Sequence, residues 1–338
     1  MARHGVSTRE TLNWGLLGTA RINRLVIPAI RSSTRSRLAA VASRDAPRAD
    51  AYAAEWKIPT PFHSYEALLA SPDIDIVYVS LPNSLHADWS IRALDGGKHV
   101  LCEKPLALTT NDVQRMSEAS TRAHRVLMEG FMYRHHAQSL RTQELMRAGT
   151  IGDPRVIVSA FSFLQARQPD VRLDPDLGGG CLWDVGCYPV SIGQHLAHGS
   201  PVTASGWQQL GATGVDETFA GCVTYSEGTV LQFHCGFRAT YHTFLRVVGT
   251  EGVLHVERPF RPNAEECIVL IRNGTTEQIE IRGSPAFVDQ VVNMEDAVLG
   301  EAPPRITIRE SWTHIATLQA LYRAARNGCA VTIPASVI

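Results

Sequence analysis

A chain of 338 residues exceeds what one hydrophobic core ordinarily organises, and at roughly 150 residues per domain it predicts two. Its 44% hydrophobic and 19% charged residues fit a globular protein, and a net charge of -1 leaves no basic surface for nucleic acid or an anionic membrane. Seven cysteines, an odd number without a CxxC pair, suit neither a disulfide framework nor a zinc cage, so reduced thiols and no metal are expected. Residues 1–11 are polar without an apolar signal core, and no run reaches the ~18 apolar residues that span a bilayer. A cytoplasmic protein with no membrane partner is the expectation.

From Leu12 the chain alternates short β-like runs with amphipathic stretches. Leu12–Leu17 reads as a strand and Ala20–Ser32 as its helix, then Leu38–Ser43 as a strand and Pro47–Trp56 as a helix. Ile74–Ser80 is a continuous apolar run, the pattern of a parallel strand buried on both faces. Ser84–Leu94 is helical and stops at Gly96-Gly97, Lys98–Cys102 is the next strand, Thr110 caps a helix, and Val126–Glu129 adds a last short strand. This rhythm predicts an α/β fold, a doubly wound parallel sheet over residues 1-131.

Beyond residue 131 the rhythm changes. His136–Arg147 is a helix, Val156–Phe163 a half-buried strand, and Gly178-Gly179-Gly180 precedes a helix from Leu182 to His195. Thr203–Leu210, Phe219–Tyr225, Thr229–Arg238 and Thr243–Gly249 follow as strands without helices between them, extended by Val253–Val256 and Ile268–Ile271. Helices at about 285–299 and 309–327 close the chain. Residues 132-338 should therefore form an α+β domain with an open antiparallel sheet.

Five segments could carry chemistry. Gly15–Asn23 joins the first strand to its helix, but only Gly18 keeps a glycine of the G-x-G-x-x-G fingerprint, with Ala20 and Asn23 at the other two places. The second strand ends in Ser43-Arg44 where NAD enzymes carry an acidic residue; a hydroxyl and a guanidinium instead suit a 2′-phosphate, and Asp45 would serve NAD if it pointed inward. Leu81-Pro82-Asn83-Ser84-Leu85-His86 lies beyond a strand's carboxyl end, where ligands of open α/β sheets bind, and Asn83 also reads as a plain helix cap. Glu103-Lys104-Pro105 holds one of only three lysines, with Lys57 and Lys98, in a chain otherwise served by arginine. A lysine kept against that background marks a place where arginine's larger, differently shaped head does not serve. Last, Asp184 and Tyr188 stand four apart after the glycine run, which puts carboxylate and phenol on one helix face.

Together, and above all through Glu-Lys-Pro at 103–105 and the GGG-x-x-x-D-x-G-x-Y block at 178–188, the chain resembles the glucose–fructose oxidoreductase, inositol dehydrogenase and MocA-like (Gfo/Idh/MocA) family. The resemblance implies an N-terminal Rossmann domain binding NADP(H), with NAD(H) as second choice, and a C-terminal sheet domain for substrate and subunit pairing. It implies hydride transfer at a hydroxyl or carbonyl carbon of a sugar-like substrate, with Lys104, Tyr188 and Asp184 catalytic. Cofactor contacts fall to Gly18, Thr19, Ala20, Arg21, Ile22, Ser43, Arg44, Leu81, Pro82, Asn83, His86, Glu103, Lys104 and Trp183. Substrate contacts fall to Arg134, His135, Asp184 and Tyr188. A homodimer or homotetramer follows from the same likeness. The degraded glycine fingerprint, and Tyr188 where inositol dehydrogenases have His, look like the branch of NADP-dependent xylose dehydrogenases, dihydrodiol dehydrogenases and deoxysugar ketoreductases. A cyclic dihydrodiol or diketone is the alternative substrate, and a non-catalytic NAD(P)-binding regulator the more distant one.

Overall fold

The structure is a computed structural model and describes residues 11–166 and 169–338. Residues 1–10, most of the polar opening stretch, lie outside it. The chain forms two compact units. The first takes residues through Ala107, Asn111–His135 and Phe287–Ser311; the second takes Leu108–Thr110, His136–Ala286 and Trp312–Ile338.

The first unit is built on β1 (Leu12–Leu17), β2 (Ser36–Ala42), β3 (Thr60–Phe62), β4 (Ile76–Val79), β5 (His99–Glu103) and β6 (Leu127–Gly130). They form one six-stranded sheet in the order β3-β2-β1-β4-β5-β6, parallel throughout. The sheet's helices are α1 (Asn23–Ser32), α2 (Ala46–Trp56), α3 (Tyr65–Ala70), α4 (His86–Asp95) and α5 (Thr110–Ala123). All four residues of β4 are fully buried, as a strand covered on both faces requires. The strand order reverses between β1 and β4, which places a ligand crevice at the carboxyl ends of these two strands. β3 and α3 have no counterpart in the sequence reading: β3 is three residues long and contains Pro61, too short to show a period.

The second unit carries α6 (Ala137–Arg147), β7 (Pro154–Leu164), α7 (Cys187–Leu196), β8 (Pro201–Leu210), β9 (Asp216–Tyr225), β10 (Val230–Gly236) and β11 (Arg238–Gly249). β12 (Gly252–Val256), β13 (Glu265–Arg272), β14 (Thr275–Arg282) and β15 (Val331–Thr332) complete its nine-stranded sheet, ordered β14-β13-β12-β11-β7-β10-β9-β8-β15. Two further helices, α8 (Ala286–Leu299) and α9 (Ile308–Asn327), belong to the closing stretch.

The sheet is mixed where an antiparallel one was expected, because β7 and β10 pair in parallel. The long connection through α7 permits this, since a parallel pair needs a crossover and a hairpin cannot supply one. One face is core: Leu231, Phe233 and Cys235 are buried, whereas Gln232 and His234 between them are exposed. That second face bears Trp207, 58% exposed, beside rings of His234, His242 and Phe244 in contact with one another. It is thus polar and aromatic in mixture. Among the described residues no helix is long and apolar enough to cross a membrane.

Candidate active site

The turn after β1 shows how a degraded fingerprint can keep its shape. Gly18 has φ +102°, a conformation side chains resist, and its amide donates to Ala42 O at 3.0 Å. A Cβ there would stand 3.0 Å from Leu81 Cδ2 and 3.4 Å from Ser80 O. Asn23 is fully buried, and its Nδ2 donates to Gly18 O at 2.9 Å. The third glycine of the usual fingerprint is therefore replaced by a side chain that ties the turn. Thr19, Ala20 and Ile22 are half-buried and Arg21 is exposed. No side chain caps the amino end of α1, whose first amides donate to the Ala20, Arg21 and Ile22 carbonyls in a tight turn, and the positive end of the helix dipole lies at that turn.

At the end of β2, Ser43 is buried and accepts Asp45 N–H at 3.2 Å. Asp45 caps α2, accepting Arg48 N–H at 3.1 Å. That use commits the Asp45 carboxylate to a structural task. Arg44 is exposed, with its guanidinium 6.0 Å from the Tyr65 ring centroid. An uncapped helix start, a glycine cradle and an unopposed guanidinium fit a dinucleotide with a phosphorylated ribose.

The loops after β4 and β5 are joined by one residue. His86 is fully buried; its Nδ1 lies 2.8 Å from Pro105 O and its Nε2 2.8 Å from Leu81 O. Both ring nitrogens are thus committed to backbone, so His86 holds the two loops together. Burial pushes its pKa down, opposed by the two carbonyls, with neighbouring Lys104 lowering it further. Asn83 opens a 3-10 turn, Asn83–Leu85, instead of capping α4. Leu81 is buried and Pro82 half-buried. Glu103 accepts the Tyr78 hydroxyl, Lys104 is half-buried, and the Lys104–Pro105 peptide is cis.

Beneath this loop, Glu129 Oε1 accepts Leu106 N–H at 2.8 Å, and Glu129 Oε2 accepts the Ser311 hydroxyl at 2.6 Å. Burial pushes Glu129 up to about 7. Arg134 is buried and donates from Nη1 to Glu310 at 2.6 Å. His135 is buried with neither ring nitrogen hydrogen-bonded among the described residues, and burial next to Arg305 and Arg134 drives it down to about 3. These two expected substrate contacts are therefore buried, the arginine already paired.

In the second unit, the glycine run leads into a π-helical turn, Leu182–Gly186, continuous with α7. Such turns widen a helix locally and occur often at functional sites. Asp216 governs its start: Oδ2 accepts Leu182 N–H at 2.7 Å and the Cys181 thiol at 3.0 Å, and Oδ1 accepts the Tyr322 hydroxyl at 2.7 Å. Gly180, at φ +123°, has no room for a Cβ because that carboxylate sits against it. Burial raises the pKa of Asp216 and, well above its ordinary value, that of Tyr322. Trp183 is half-buried, its ring 5.2 Å from Tyr322. Asp184 Oδ2 accepts Arg172 Nε–H at 2.7 Å. Tyr188 is 4% exposed, its ring 5.3 Å from Phe161 and 5.4 Å from Phe260.

Asp184 and Tyr188 thus share one short segment, while Gly18, Ser43, Asn83 and Lys104 gather at strand ends of the first unit. Arg172, Asp216, Tyr322 and Glu129 escaped the sequence reading. No local pattern marks them, because each acts through a partner distant in the chain; only Arg172, six residues before the glycine run, lay near a recognised motif. Among the described residues no cluster of three or more His, Cys, Asp or Glu could hold a metal, and none of the seven cysteines forms a disulfide.

Residues 12–131 match an oxidoreductase family described as an NAD-binding Rossmann fold, and residues 139–255 match the GFO/IDH/MocA C-terminal domain. A D-xylose 1-dehydrogenase (NADP(+)) of Haloferax volcanii is 37% identical over 95% of this chain and 99% of its own. The structure of a 3-ketoreductase from Actinomadura kijaniata, in complex with NADP and TDP-benzene, superposes with TM-score 0.88 at 29% identity, over 93% of this chain and 98% of that one. An aldose-aldose oxidoreductase from Caulobacter crescentus, complexed with glycerol, gives TM-score 0.88 at 26% identity, over 95% and 99%.

Proposed function

Because the chain belongs to the Gfo/Idh/MocA family of NAD(P)-dependent oxidoreductases, we propose that it is an NADP(H)-dependent sugar dehydrogenase or ketoreductase. The observation that carries this reading is the presence in one chain of both motifs, Lys104 in its Glu-Lys-Pro turn and Asp184 with Tyr188 on the segment after the glycine run. The relatives named above support a sugar as substrate: two carry an aldose in their names and the third was crystallised with a nucleotide analogue.

The nicotinamide, when bound, supplies or takes up the hydride. The protein's own task is then the proton and the charge on the reacting oxygen. Tyr188 passes the proton to or from that oxygen. A free phenol has pKa near 10, so it needs a cation to work near neutrality, and the Lys104 ammonium favours the phenolate and steadies alkoxide charge. Asp184 orients the substrate's hydroxyls. Ser43 and Arg44 hold the 2′-phosphate, the basis for preferring NADP(H), and the Gly18 turn that opens α1 receives the pyrophosphate. Subunits pair through the mixed face around Trp207 and His234.

The test is a panel of aldoses, nucleotide-linked ketosugars, cyclic diols and diones, followed by Tyr188→Phe on the best substrate. Removing the hydroxyl should cut kcat by about 10²–10⁴-fold and leave NADPH affinity intact. Turnover confined to diols or diones would overturn the sugar assignment, and a Tyr188→Phe variant that keeps its kcat would overturn the proton route.

A further inference from the structure

The carboxylate of Asp184 is held from behind. Arg172 Nε donates to Asp184 Oδ2 at 2.7 Å and Arg172 Nη1 to Asp170 Oδ1 at 3.3 Å, so one guanidinium bridges two carboxylates. Little of the pair reaches solvent: the Asp184 side chain is 15% exposed and that of Arg172 36%. Backbone fixes the arginine in turn. Its amide donates to Asp170 Oδ1 at 3.0 Å, and its carbonyl accepts Gly180 N–H at 2.9 Å. A single residue therefore grips the glycine run by its main chain and the aspartate four residues beyond Gly180 by its side chain.

A mostly buried carboxylate without a cation is pushed toward its protonated form. A guanidinium at hydrogen-bond distance reverses this, and its planar fork fixes direction as well as charge. The effect is mutual: the Asp184 carboxylate, ahead of all other causes, pushes the Arg172 guanidinium up. Titratable groups around this pair include Asp170, Asp216, Tyr322, Tyr188 on the same segment and the thiols of Cys181 and Cys235; burial pushes both thiols and the Tyr322 phenol up, so those three stay neutral.

We propose that Arg172 is a positioning residue for the reaction, keeping Asp184 ionised and aimed so that it only accepts hydrogen bonds from substrate hydroxyls and never donates the proton. This rests on the role assigned to Asp184 above, and it supplies a reason why the proton must travel through another group. Arg172 itself handles neither hydride nor proton.

Two readouts test it. The first needs no substrate: protein labelled with 13C at aspartate carboxyls, the Asp184 signal being assigned by its loss in Asp184→Asn, is titrated through the carboxylate range. Arg172→Met should raise the Asp184 midpoint by about 1–3 pH units, and Arg172→Lys should restore most of it. The second is kcat/KM against pH on the best panel substrate, with NADPH fluorescence titration as the control for folding. Arg172→Met should acquire an acid limb absent from the wild type. Arg172→Lys should keep the wild-type profile at about a tenth to a hundredth of the rate, because a misaimed group costs up to about 10²-fold. The double variant with Asp184→Asn should be no worse than Asp184→Asn alone. An unchanged Asp184 midpoint in Arg172→Met, or full additivity in the double variant, would overturn the proposal. If Arg172→Met does not fold, an undiminished rate in Arg172→Lys does so. Undiminished kcat/KM in Asp184→Asn would instead bring down the role of Asp184 in the proposed function, whatever the arginine variants do to the midpoint.

Discussion

Asp216 offers a prediction whose size follows from its contacts. Asp216→Ala leaves Leu182 N–H and the Tyr322 hydroxyl without their acceptor, the first on a buried residue and the second on a half-buried one. Stranding each costs about 1–3 kcal/mol, hence about 2–6 together. Against this stands the cost of burying the carboxylate itself, visible in its raised pKa, which the alanine removes. A net loss of about 2–4 kcal/mol is expected, a large part of a stability of about 5–15. Asp216→Asn should differ. Its carbonyl oxygen can still accept from Leu182, and its amide can donate to Tyr322 once that hydroxyl turns, so the loss should stay below about 1 kcal/mol. Urea unfolding followed by tryptophan fluorescence reads this locally, since Trp183 lies 5.2 Å from the Tyr322 ring. The midpoint should fall by about 1 M or more for alanine at constant m, and by a fraction of that for asparagine. Equal loss for both variants would mean that charge, not the set of donors, is what Asp216 supplies, and the reasoning would fail.

Arg44→Ala should weaken NADPH about ten- to a hundredfold and leave NADH nearly unchanged, by fluorescence titration; equal wild-type affinity for both cofactors would contradict the assignment of Ser43-Arg44. Glu129, raised from 4.5 to about 7, contributes stability that is full below about pH 4.5 and lost as pH rises through about 7. That is about 3 kcal/mol, and unfolding midpoints across the window should show Glu129→Gln free of the slope. Light scattering should give a multiple of the 37.0 kDa chain mass, and Trp207→Glu on the exposed sheet face should reduce it toward one chain.

The parallel sheet was legible, β3 apart, because its strands are short, mostly buried and separated by amphipathic helices, so period and punctuation agreed. β14 was not, as its Thr275–Arg282 is almost all polar and lies at an exposed edge where no core imposes alternation. Rare lysines proved informative for a local reason. Lys98, buried, points its ammonium at the carbonyls of Ser71 and Ile74, a compact contact that a guanidinium would not fit. Lys57 instead ends α2 in the left-handed conformation, a place with no such demand. In the candidate site, the groups that would meet ligands sit in recognisable turns, whereas those that hold them, Arg172, Asp216 and Glu129, are defined by distance in space. Sequence spacing carries no trace of a bond from residue 129 to 311 or from 216 to 322.

The first unit borrows a late segment of the chain, and this limits how such a gene can be recombined. Arg35, between α1 and β2, forms ion pairs with Glu295 at 3.0 Å, Asp296 at 2.7 Å and Glu301 at 2.9 Å. Glu295 also accepts the Ser36 hydroxyl, which in turn accepts Trp14 Nε1–H at 2.7 Å at the heart of β1. A fragment cut after residue 135 would lose all of these carboxylates together with the Ser311 hydroxyl on Glu129. Chimeras between relatives that exchange a contiguous amino-terminal half should therefore inherit mismatched charge sets at Arg35. Exchanging 287–311 along with it keeps the donor and its three acceptors from one parent, so crossover points belong on both sides of that late segment.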